Sequence, residues 1–174
     1  MDLQGPEDPS GIANLFEPAV IEAPSPAPRA AALLRDQAAR IMANWSLRVA
    51  NLPAFRAMPD LSLRQLQATI PAILDAALAT IATSDPSVDP GALQRALDLA
   101  AEHGKNRANE GFAVGDVLAE FQELRVEVWS ALWRVIEDDV HLLNALRALQ
   151  ERLSHTFDSL MIAAAESWVA TRLG

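Results

Sequence analysis

A chain of 174 residues that is 51% hydrophobic and 21% charged has the composition of one globular domain with a tail, not of two domains. Its formal charge of −9 repels phosphate backbones and anionic lipid, which sets nucleic acid and membrane surfaces aside as partners. The absence of cysteine excludes disulfides, thiolate catalysis and cysteine-ligated metal centres.

The start of the chain carries neither the basic region nor the apolar run of a signal peptide. No stretch of about 20 apolar residues is free of charge, so the expectation is a cytoplasmic protein without a membrane span. Residues 1–28 stand apart. They hold six of the eleven prolines (Pro6, Pro9, Pro18, Pro24, Pro26 and Pro28), several acids and no base, and read as a disordered acidic tail ahead of a domain at 29–174. Ile12, Leu15, Phe16 and Val20 fall at helical spacing inside that tail, a pattern open to a short docking helix or to no structure at all.

From Arg29 to Ala50, Leu33, Leu34, Ala38, Ile41, Met42, Trp45 and Val49 repeat as one buried helical stripe, which Asn51-Leu52-Pro53 ends. A second helix is predicted from an N-cap near Ser62, through Leu66, Ile70, Ile73, Leu74, Leu78 and Ile81, kinked or split where Pro71 removes a hydrogen bond. Asp89-Pro90 signals the start of a third helix, which reaches His103 or beyond; Gly104 reads as a cap or a bend and Gly111 as the firm stop. A fourth, Val114 to Asp138, has the most continuous apolar face. Asp138-Asp139 then caps a last helix running to about Arg172. The fold class is all-α: an antiparallel bundle of about five helices, with no strand pattern.

Catalytic patterns are missing. None of His103, His141 and His155 has a recognised metal-ligand spacing, and no phosphate loop or nucleophile elbow occurs, so neither catalytic nor metal residues nor a cofactor are expected. The sequence around His155 departs from a kinase phosphoacceptor box, since Thr156 follows the histidine and no proline comes later. Trp129 and Trp133, one turn apart, widen the apolar face of the fourth helix; they read as core, or as an interface or pocket wall.

One constellation stands out: Ala101-Glu102-His103-Gly104-Lys105-Asn106-Arg107-Ala108-Asn109-Glu110-Gly111-Phe112, followed by Glu120-Phe121-Gln122-Glu123-Leu124-Arg125. It resembles the RsbRD-type N-terminal domain, the helical input module of stressosome co-antagonist paralogues and of some bacterial sensor histidine kinases. The matching positions are His103, Gly104, Arg107, Gly111, Phe112, Glu120, Phe121, Leu124 and Arg125, with Pro71 ahead of Leu74-Asp75 and Arg48 after Trp45 in support. The resemblance implies a non-catalytic sensory or regulatory domain that acts on a protein partner, a kinase or a phosphoprotein output module; its long last helix is expected to exit toward an output domain or to pair with its copy in a homodimer. A histidine phosphotransfer protein and a purely structural adaptor are the alternatives. Lying one turn from Phe121 and Val128, Arg125 is expected to face the interior and to need an anion; Glu120 or a carboxylate from another helix is the candidate, with His103 and Arg107 nearby across the Gly111 turn. The same groups read either as a polar clasp between the third and fourth helices or as a sensor for a small anion or other ligand.

Overall fold

The computed structural model describes residues 26–58, 62–83, 89 and 91–174. All regular structure there is helical: α1 (Pro26–Asp36), α2 (Ala38–Val49), α3 (Pro53–Arg56), α4 (Leu63–Gln67), α5 (Ile70–Ala82), α6 (Ala92–Asn109), α7 (Val114–Asp138), α8 (Val140–Leu143) and α9 (Leu146–Leu173). Most of the proposed tail, with the docking pattern of Ile12, Leu15, Phe16 and Val20, lies outside the described residues. The first helix starts earlier than the expected Arg29: α1 begins at Pro26 and carries Pro28 in its first turn, where a missing N–H costs no helical bond.

Two helices read as single are divided, and the predicted second helix, read as kinked or split at Pro71, is split slightly ahead of it. Gln37 separates α1 from α2 through a tightened bond from its N–H to the Leu34 carbonyl. The expected second helix is two: Ser62 and Gln65 form a reciprocal capping box that starts α4, and α5 begins beyond Ala68-Thr69 with Pro71 in its first turn. The last helix is preceded by α8, capped where Asp139 Oδ1 accepts the His141 N–H at 3.1 Å. By contrast, α7 has the bounds read from its apolar face.

The core is one cluster. Leu34, Ile41, Trp45, Ile73, Leu78, Phe121, Leu124, Val128, Leu132, Leu153, Phe157 and Leu160 are all fully or almost fully buried. At about 25 cal/mol per Å2 of apolar surface removed from water, such side chains dominate the favourable side of folding. Among the described residues, Gln65–Ala82 is apolar and long enough to suit a membrane crossing by composition, but it is broken at Ala68-Thr69 and its large side chains, Leu66, Ile70, Ile73, Leu74, Leu78 and Ile81, are in this core.

α1 and α2 continue in one direction antiparallel to α7, as the pairs Arg29–Asp139, Asn44–Glu127 and Arg48–Glu123 show, and α9 is also antiparallel to α7, whereas α6 and α9 run the same way. Gly104 lies against Ala164, the Trp168 indole N–H donates to the Phe112 carbonyl (2.9 Å), and Arg172 Nη1 donates to the Ala108 carbonyl (3.4 Å). This contact rests on a row of small residues on α6: Ala92, Ala96, Ala100, Gly104 and Ala108, all buried. Four-residue spacing puts them on one face, and without bulky side chains the two backbones approach closely. A Cβ built on Gly104 would lie 2.0 Å from the Ala164 carbonyl oxygen. Gly104 therefore neither caps nor bends α6, which continues to Asn109; it makes room for α9.

Two glycine substitutions separate these effects. Gly104→Ala is expected to cost about 3 kcal/mol of unfolding free energy in urea titrations, the upper end for an overpacked core. Gly115→Ala, where a Cβ meets nothing within 4 Å, should stabilise by about 0.5–1 kcal/mol.

Candidate functional site

At one end of the bundle α3, α4, α5, α6 and α7 meet around a buried guanidinium. Arg107 sits in the last turns of α6 with a side chain only 3% exposed, and Glu120, in the second turn of α7, is fully buried. The two form a bidentate pair: Arg107 Nε donates to Glu120 Oε1 at 2.8 Å and Nη2 to Oε2 at 2.9 Å. Nη2 also donates to the Leu66 carbonyl of α4 (3.0 Å), and Nη1 to Glu110 Oε2 (2.7 Å). The guanidinium packs against the rings of Phe112 (5.3 Å) and Phe55 (5.7 Å), which stack on each other at 4.6 Å.

Burial works against the charged guanidinium of Arg107. The hydrogen bonds and Coulomb attraction of Glu120, and then of Glu110, outweigh it and hold the group above the ordinary arginine value. Charge-assisted bidentate bonds of this kind supply the compensation that a buried ion needs.

The local chain conformation sets this geometry. Gly111 has φ +90°, in the left-handed region, and its N–H bonds the Ala108 carbonyl while the Phe112 N–H bonds that of Arg107. That paired closure ends α6, turns the chain into α7 and lays Phe112 back over Arg107. The backbone carbonyl of Glu120 accepts the Trp45 indole N–H (3.0 Å), which ties the carboxylate's helix to α2.

His103, one turn before Arg107, is also buried. Its Nδ1 shares a 2.7 Å hydrogen bond with Thr69 Oγ1 in the gap between α4 and α5, and its ring meets Phe121 edge-on. Nε2 lies 3.3 Å from Glu120 Oε2, within Coulomb range but without the alignment of a hydrogen bond. Burial keeps this histidine from a phosphodonor, whereas His141 and His155 are exposed.

Of the positions singled out in the sequence, the fold thus gathers His103, Arg107, Gly111, Phe112 and Glu120. Arg125 is not among them. It lies about 140° around α7 from Glu120 and extends outward, donating to Asp158 (2.9 Å) and Gln122 (2.7 Å). The buried cation is Arg107. Trp129 packs partly buried against the core, whereas Trp133 is 48% exposed.

The structure adds partners that the reading overlooked. Glu110 follows Arg107 by three residues, a helical pairing distance that was legible. Glu127 shares the face of Glu120 two turns on; its buried carboxylate accepts from Arg48 Nε (2.5 Å) and Asn44 Nδ2 (3.1 Å) of α2. Phe55, Thr69 and the Leu66 carbonyl carry no local signal. The described residues hold no group of three His, Asp or Glu side chains placed to share a metal ion.

Glu120→Leu should destabilise the fold by about 3–5 kcal/mol, because it strands a buried guanidinium. Adding Arg107→Met should recover much of that loss. A double-mutant cycle on urea midpoints measures the coupling, and additivity of the two single changes would contradict it.

The model of one protein family, described as the RsbT co-antagonist protein rsbRD N-terminal domain, matches residues 31–174. Neither a curated protein nor a solved structure matches the chain. The matched span holds α2 to α9 and every residue of the buried cluster, and over it the chain belongs to the RsbRD N-terminal domain family, regulatory domains of stressosome-type signal transduction.

Proposed function

We propose that this domain is a non-catalytic regulatory input module that acts through contact with proteins: a second copy of itself, and a kinase or phosphoprotein that carries the output. The observation that carries this reading is the open face of α7 and α9. Trp133 and Val126 of α7 and Ile162 and Val169 of α9 are each more than 40% exposed. Between the two helices runs a groove of about 460 Å3, lined by Leu118, Gln122, Asp158, Met161, Ile162 and Ala165. Exposed large apolar side chains concentrated on one face mark an interaction surface.

A second copy suits this face. Two helices presented side by side can pair with their own two-fold image in a four-helix arrangement, which buries the same residues twice. The partner supplies the chemistry in this reading. A cytoplasmic location accords with that role.

Sedimentation should show a dimer, and Ile162→Glu combined with Trp133→Asp should shift it to monomer without changing the helical far-UV spectrum. A monomeric parent chain would overturn the homodimer. Retained capture of the kinase or phosphoprotein by the double variant would overturn the assignment of this face to the output partner.

A further inference from the structure

The buried cluster opens on one side. A recess of about 200 Å3 lies at the gap between α4 and α5, lined by Gln65, Ala68, Thr69, His103, Asn106, Arg107, Asn109 and Glu110. Seven of these eight side chains are polar, and the floor is not a surface patch: Arg107 and His103 are each 2% exposed.

Not all of the lining is used by the fold. The carboxamides of Asn106 and Asn109 make no hydrogen bond within the described residues, and Gln65 spends only its Oε1, on Ser62. His103 takes no part in this: its Nδ1 is shared with Thr69 and its Nε2 faces Glu120 Oε2 at 3.3 Å. On Arg107, Nε and Nη2 are committed to Glu120 and Leu66, whereas Nη1 meets only Glu110.

Glu110 is poorly held. Its side chain is 37% exposed, and it is the C-cap residue of α6, at the negative end of the helix dipole, where a carboxylate is disfavoured. It stands on Arg107 as a replaceable anion.

We propose that this recess binds the carboxylate of a small organic monoanion, which takes the place of Glu110 on Arg107 Nη1 and receives further hydrogen bonds from Asn106 and Asn109. Charge selects against other occupants. A metal cation would face the Arg107 guanidinium, and a phosphate dianion would bring two negative charges where the displaced Glu110 carboxylate brought one, with Glu120 already paired to the same arginine. The volume is below that of a drug-sized site and suits a solute of metabolite size. This site goes beyond the regulatory reading and does not depend on it, since binding is read on the chain alone.

Acetate is the simplest probe. Titrated into 15N-labelled protein, it should give saturable shifts of the Asn106 and Asn109 side-chain amides by about 50 mM. Glu110→Ala, which removes the competing anion from an exposed position, should tighten acetate binding about tenfold, and Asn106→Asp should weaken it about tenfold. A merely structural role for these residues predicts neither change. Inorganic phosphate should not compete. Shifts that fail to saturate, that are indifferent to both substitutions, or that phosphate reproduces equally would each overturn the site.

Discussion

The whole end of this bundle is organised by one costly placement, a guanidinium inside an apolar interior. Removing Arg107 from water is unfavourable, and it is tolerated because Glu120 meets it with two parallel hydrogen bonds while Leu66 and Glu110 take two more of its N–H groups. Each partner comes from a different local setting: the second turn of α7, the backbone of α4, and the C-cap of α6. Glu120 and the Leu66 carbonyl cannot move far without leaving a buried charge poorly paired, whereas Glu110 is held at the edge. A purely apolar contact would tolerate sliding, so this pair gives the junction of α4, α6 and α7 a single register.

Around that pair the design is layered. The left-handed Gly111 turn returns Phe112 over the guanidinium, and the Trp168 indole bonds the Phe112 carbonyl from α9. Trp45 bonds the Glu120 carbonyl from α2. Farther along α7, Glu127 repeats the scheme with Arg48 and Asn44, at a half-open position where solvent relieves part of the burial. For the exposed Arg48 the bond and charge of Glu127 outweigh its partial burial and raise its proton affinity. Two carboxylates on one face of α7 thus receive cations from opposite sides, Arg107 from α6 and Arg48 from α2.

How much of this was legible in the sequence differs by element. Wherever one apolar stripe met clear end signals, the reading worked, as α7 and the Gly111 stop show. The breaks at Gln37 and at Ala68-Thr69 were harder, because periodicity continues straight through them. Motif positions located the buried cluster, but the burial argument chose the wrong arginine. Arg125 lies at the edge of the apolar stripe, where a long side chain reaches water and Asp158, whereas Arg107 turns inward to α4 and α7, with Glu110 at its rim. Phe55 and Thr69 arrive from helices remote in sequence, so nothing local announces them. Gly104 was weighed for its backbone freedom, yet its value lies in the side chain it lacks, which only the position of α9 reveals.

That missing side chain has a mechanical consequence. Where two helices meet through side chains, rotamer changes absorb a small displacement; where Gly104 touches the Ala164 backbone directly, nothing compliant lies between them. A tilt imposed on α6 at this point is therefore expected to carry α9 with it.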